Sequence, residues 1–194
     1  MDNKYKKLII SLFSLLIFIF PIYICVSRSY WLELGTTIFI FICATMYHIT
    51  DALHNTILFD EITWHKLDTI SAILVIFSYI ARMLELDFVK RCYINFISLL
   101  YIIYVQYYDP WNIHNTISPI IVALSILVYK IIFYTPKVNI MLLILLIIFL
   151  VLAAYTFKKG LADEDFKGLR IWHSIWHIFS ISALTLALIM IKYD

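Results

Sequence analysis

Apolar residues in this chain fall in long, nearly unbroken runs separated by short polar breaks. Neither the two-residue alternation of half-buried strands nor the half-polar period of surface helices dominates. Seven runs stand out: Leu8 to Val26, Trp31 to Thr50, Leu67 to Leu84, Phe88 to Tyr107, Ile117 to Phe133, Val138 to Phe157 and Ile171 to Ile191. Each is about long enough to cross a hydrocarbon core of roughly 30 Å as a helix. Backbone polar groups find no water in lipid, so each run is expected to bond within itself as an α-helix. The pattern predicts an all-α polytopic membrane protein, a seven-transmembrane-helix bundle forming one domain over 1–194.

Three details refine the pattern. Lys4, Lys6 and Lys7 precede the first run and give it the outline of a signal peptide cleaved near Ser27. The apolar stretch continues past Pro21 to Val26, however, and is read as a retained first helix. The fourth run begins beside Lys90 and Arg91, which are expected to snorkel to the interface. Lys130, inside the fifth run, is expected to do the same toward the turn at 134–137.

Composition strengthens the membrane assignment. Hydrophobic residues make up 63% of the 194 and charged residues 14%, too little charge to cover a soluble domain. Three Gly and four Pro leave few residues for loops. The net charge of +2 carries no nucleic-acid footprint. Cys25, Cys43 and Cys92 are scattered through apolar runs and read as small buried residues. The 15 Lys and Arg divide almost evenly between the two faces, so charge does not set the orientation.

The informative polar residues lie near helix ends. Alternating helix directions put the end of the second helix, the start of the third and the start of the seventh on one membrane face. Those ends carry His48 and Asp51, then Asp68, then His173 and His177. His173 and His177 are four apart, which places both imidazoles on one helical face. With His48 they would make a three-nitrogen site with one open position, a pattern that suits zinc. Such a metal would lower the pKa of a bound water to about 7, with Asp68 as its hydrogen-bond partner or general base. Asp51, on the same helical face as His48, is either a second acid of the site or a helix-end residue. The competing reading is that an H-x-x-x-H pair arises by chance. His54, His65 and His114 are assigned to loops and interfaces. Trp64, Trp111, Trp172 and Trp176 are expected to form an aromatic belt on the histidine side, with Trp31 opposite.

These residues resemble a known family. The stretch Tyr47-His48-Ile49-Thr50-Asp51 resembles the Tyr-His-x-x-Asp motif of the myomaker and transmembrane-protein-8 family. His173-Ser174-Ile175-Trp176-His177-Ile178 resembles that family's seventh-helix motif. Asp109-Pro110-Trp111 and Ser118-Pro119-Ile120 are similar to two landmarks between them, as are Phe20-Pro21 and the segment from Tyr30 to Glu33. The resemblance runs through nearly the whole chain. It implies membership of a superfamily with alkaline ceramidases and adiponectin/progestin-type receptors, whose members hold an intramembrane zinc with three histidines beside an aspartate and a serine. It assigns zinc to His48, His173 and His177 and the acid to Asp68, and it suggests an extracellular or lumenal N-terminus. The chain departs from the pattern one turn before the first histidine, where Ala44 stands in place of a serine, and at Ala52-Leu53, where a Gly-Pro is common. The expected function is a zinc-dependent hydrolase acting on a lipid amide or ester, with membrane lipid as its partner. The alternative is a non-enzymatic, myomaker-like membrane-remodelling or cell-fusion protein with a structural zinc.

Overall fold

The computed structural model describes residues 2–109, 112–134, 139–161 and 168–191. Trp111, Lys137 and Lys167 lie outside these, and so does the position of Trp111 in the expected aromatic belt.

The described residues form seven helices: α1 Asn3–Ser27, α2 Trp31–Leu53, α3 Glu61–Met83, α4 Phe88–Tyr108, α5 Ile113–Tyr134, α6 Ile140–Gly160 and α7 Ile171–Met190. Six are long and apolar enough to cross a membrane. The exception, α3, carries Glu61, Lys66, Asp68 and Arg82. It nonetheless sits at the centre, packed against α2, α4, α5 and α7. The chain is therefore a polytopic helical membrane protein, as the hydropathic pattern predicts.

Helix ends follow local chemistry. Asp60 caps α3 by accepting from Thr63 N at 2.8 Å, and Asp87 caps α4 by accepting from Lys90 N at 2.9 Å. The first cap starts α3 six residues before the apolar run, which adds nearly two turns bearing Trp64, His65 and Lys66. His54 ends α2 in the left-handed conformation, with φ 53°. In α1, Pro21 has no N–H to offer residue 17, and the helix tightens to a 3₁₀ turn at Leu16–Phe18.

Packing in lipid gains little from hydrophobicity and relies on small residues and polar bonds. Alpha6 meets α7 through buried Ala153 and Thr156 and through Gly160. Arg28, just past α1, donates to the carbonyls of Leu188 at 2.6 Å and Ile191 at 2.9 Å, satisfying the C-terminus of α7.

Two expectations about cations need correcting. Lys90 does reach the surface, pairing with exposed Asp87. Arg91 does not snorkel; it turns inward to an ion pair with Glu33 of α2, and both residues are buried. A carboxylate at the matching depth of a neighbouring helix outcompetes the interface. Lys130 reaches the Met83 carbonyl at 3.3 Å and Glu85 at 3.6 Å, in the α3–α4 connection rather than the turn after its own helix.

Candidate metal centre

Three histidines converge between α2 and α7. His48, 1% exposed, and His177, 5% exposed, place their Nε2 atoms 3.3 Å apart. One nitrogen from each of His48, His173 and His177 lies within 4.8 Å of the others. The ring centroids are 5.2 Å apart for His48–His173, 4.9 Å for His48–His177 and 4.7 Å for His173–His177, each pair edge to face. Nitrogens at zinc's usual bond length of about 2.0–2.1 Å, arranged tetrahedrally, are separated by about 3.3–3.4 Å. The His48–His177 pair already has that separation. The three imidazoles could hold a metal ion, and the His48–His177 separation suits zinc.

Helix packing sets these positions. His173 and His177 share a face of α7, one turn apart. Gly160, at the end of α6, lies against His173, where an added Cβ would sit 3.1 Å from the His173 backbone nitrogen. The absence of a side chain at 160 lets α7 approach. Trp176 lies 5.1 Å from both His173 and His177, centroid to centroid, and packs on Phe157 at 5.3 Å.

A charged clamp ties the helix ends above the histidines. Asp51, 3% exposed, accepts from Lys7 Nζ at 2.9 Å and from Arg170 Nη2 at 3.2 Å, both on Oδ1. Arg170 Nε lies 3.2 Å from the other carboxylate oxygen, and Nη1 donates to the Tyr47 hydroxyl at 3.2 Å. Asp51 is one turn past His48, and Arg170 is three residues before His173. One carboxylate thus joins α1, α2 and the start of α7.

Asp68 has a different setting. It lines a cavity of about 400 Å³ together with Ala44, Trp176 and His177. Its carboxylate makes no ion pair or hydrogen bond among the described residues. The rest of the wall is almost entirely apolar, drawn from every helix except α4. On α3 the lining runs from Asp68 to Met83, about 22 Å at 1.5 Å per residue. The cavity thus extends from the histidine end through most of a hydrocarbon core of roughly 30 Å.

The five residues singled out from sequence therefore divide. His48, His173 and His177 form the donor cluster. Asp68 stands in the wall of the adjoining cavity, outside the cluster. Asp51 is held in the clamp. His65 lies on α3 rather than in a loop, its ring 5.2 Å from that of Tyr47. Trp64 is buried and donates to the Ile57 carbonyl at 2.8 Å, so it belongs to the α2–α3 connection rather than to an aromatic belt. His54 and His114 are exposed, as expected of interfacial residues.

Sequence reasoning missed Ser14, Lys7, Arg170, Trp176 as a wall residue, and Gly160. Ser14 of α1 places its hydroxyl oxygen 2.9 Å from Nδ1 of His177. A signal for it existed. Lys7, Ser11, Ser14, Phe18, Pro21 and Cys25 recur at alternating spacings of four and three, which marks one face of a helix. The polar members of that face lie at the histidine end.

Residues 3–178 match the family described as Protein of unknown function (DUF3522), and the chain belongs to that family. No curated protein matches it.

Proposed function

We propose that this member of the DUF3522 family is an intramembrane zinc-dependent hydrolase of a lipid amide or ester. The observation that carries the reading is the juxtaposition of the His48–His173–His177 cluster with the polar end of a long apolar cavity whose wall includes Asp68. The resemblance to the myomaker and transmembrane-protein-8 family supports the same reading.

His48, His173 and His177 would hold the metal. Bound there, zinc supplies Lewis-acid polarisation of a carbonyl and lowers the pKa of a coordinated water to about 7. The chain's own residues do the rest. The apolar wall accepts a hydrocarbon chain and places the headgroup end of a lipid beside His177. Asp68, which has no ion-pair partner among the described residues, takes the proton from the attacking water and returns it to the leaving group. Trp176 closes the wall behind the two α7 histidines. Protein purified in detergent is expected to contain about one zinc per chain, and His173→Ala to lose it. A folded, metal-free wild type would overturn the reading. Catalysis has a separate check: identical lipid profiles from cells making wild type and Asp68→Ala would remove it.

A second reading has one observation in its favour. Ala44 stands one turn before His48, where the resemblance calls for a serine, and it contributes no polar atom to the cavity wall. The metal would then be a structural staple in a membrane-remodelling protein. A cell-mixing assay separates the two. Fusion that survives Asp68→Ala but fails in His48→Ala supports the staple.

A further inference from the structure

A single hydrogen decides what Ser14 does. Its hydroxyl donates to the carbonyl of Ser11, one turn back, at 2.6 Å. A carbonyl oxygen has no proton to give, so the direction of that bond is fixed. The Ser14 oxygen therefore meets Nδ1 of His177 with lone pairs only, at 2.9 Å. Two lone pairs at that distance repel, so the hydrogen between them belongs to Nδ1. In a neutral imidazole the other nitrogen is then bare. That nitrogen is the Nε2 that faces His48 at 3.3 Å.

We propose that Ser14 is a positioning residue of the histidine cluster: it holds His177 in the Nδ1–H tautomer and so aims the Nε2 lone pair at the cation the three imidazoles share. The tautomer follows from the hydrogen bonds alone; the cation rests on the reading above. A hydrogen-bond partner on the far ring nitrogen fixes both the tautomer and the ring orientation of a ligating histidine. His48 lacks such support. Nδ1 of His48 is buried and has no hydrogen-bond partner among the described residues. The ligands are thus unequal: α1 holds His177 from its far nitrogen, and His48 has no hydrogen bond on its own Nδ1 among the described residues. Ser11 gives an internal control. It is 1% exposed on the same face of α1, yet its hydroxyl oxygen has no partner among the described residues. Its contribution to Ser14 is its carbonyl, which substitution leaves in place.

The test uses the full chain in nanodiscs, with ¹⁵N-labelled histidine and zinc as the probe. Nitrogen spectra of the wild type are expected to show His177 protonated at Nδ1, with and without zinc. In Ser14→Ala this preference is lost, and zinc affinity measured by chelator competition falls about 10–100-fold. Ser14→Thr keeps the oxygen and its back-bond to the preceding turn, and restores both readouts. Ser11→Ala leaves both unchanged. A His177 protonated at Nε2 in the wild type overturns the proposal whatever zinc does, as does an unchanged affinity in Ser14→Ala. Should the wild type bind no zinc while His177 keeps its Ser14-dependent tautomer, the metal reading falls and the tautomer assignment stands. If Ser14→Ala fails to fold, the wild-type spectrum and Ser14→Thr still decide.

Discussion

A Cβ at Gly160 would lie 3.1 Å from the backbone nitrogen of His173 and 3.3 Å from its Cα. Helix propensity alone favours Gly160→Ala by up to about 1 kcal/mol. The contact opposes it, because the backbone that carries a donor histidine must retreat by a few tenths of an ångström. Gly160→Ala is expected to keep the melting temperature in detergent and to weaken zinc binding several-fold. Affinity equal to the wild type would show that α7 yields without moving the imidazole.

Asp51 and Asp68 are expected to behave oppositely. Asp51→Asn removes the charge that Lys7 and Arg170 share, and leaves both cations facing each other. Their side chains are 17% and 29% exposed, so solvent screens part of the loss. A cost of about 1–2 kcal/mol is expected, read as a lower melting temperature in nanodiscs. Asp68→Asn, which breaks no ion pair among the described residues, leaves the melting temperature in place.

The chemistry of Asp68 has its own readout. Under the hydrolase reading, Asp68→Asn retains zinc, and turnover of a lipid amide or ester falls about 10²–10⁴-fold. Undiminished turnover would move the general base elsewhere. Retained zinc with no turnover in either protein would favour the structural staple.

The Glu33–Arg91 pair lies at the opposite face from the histidines and provides a test of packing alone. Removing one partner strands a buried charge. Glu33→Gln or Arg91→Met is expected to cost about 3–5 kcal/mol. Replacing both with apolar residues recovers most of that, and a double-mutant cycle measures the coupling. Additive losses would show that the two side chains do not depend on each other.

The features the hydropathic pattern revealed are those with a one-dimensional signal. Helix number and order followed from run length, and the three histidines met because alternating helix directions place those helix ends on one face. Other features depended on a neighbour that no window along the chain contains. Arg91 resembles an interfacial cation until Glu33, 58 residues earlier, is placed beside it. Ser14 lies on a face that its four-three spacing marks, but its partner His177 is 163 residues away and meets it only when α1 packs on α7. Gly160 resembles an ordinary helix end, and only the approach of α7 shows why a side chain there is costly. The early start of α3 was hidden differently. Asp60, His65, Lys66 and Asp68 lower local hydropathy, but the same Asp60 caps the helix.

The polarity of α3 also bears on how the chain is made. A segment carrying Lys66, Asp68 and Arg82 gains less from lipid than its neighbours, since charged residues make insertion less favourable even where they lie toward the helix ends. Its partition into the bilayer has to be bought by neighbours that cover it, and α2, joined to it by a short connection and packed along it, is synthesised first. The two helices are therefore expected to enter as a hairpin, with α3 fully integrated once α4 has packed against it. Nascent chains truncated before α4 would leave α3 poorly integrated. The helix that completes the wall of the cavity is thus the one whose insertion waits on the rest of the fold.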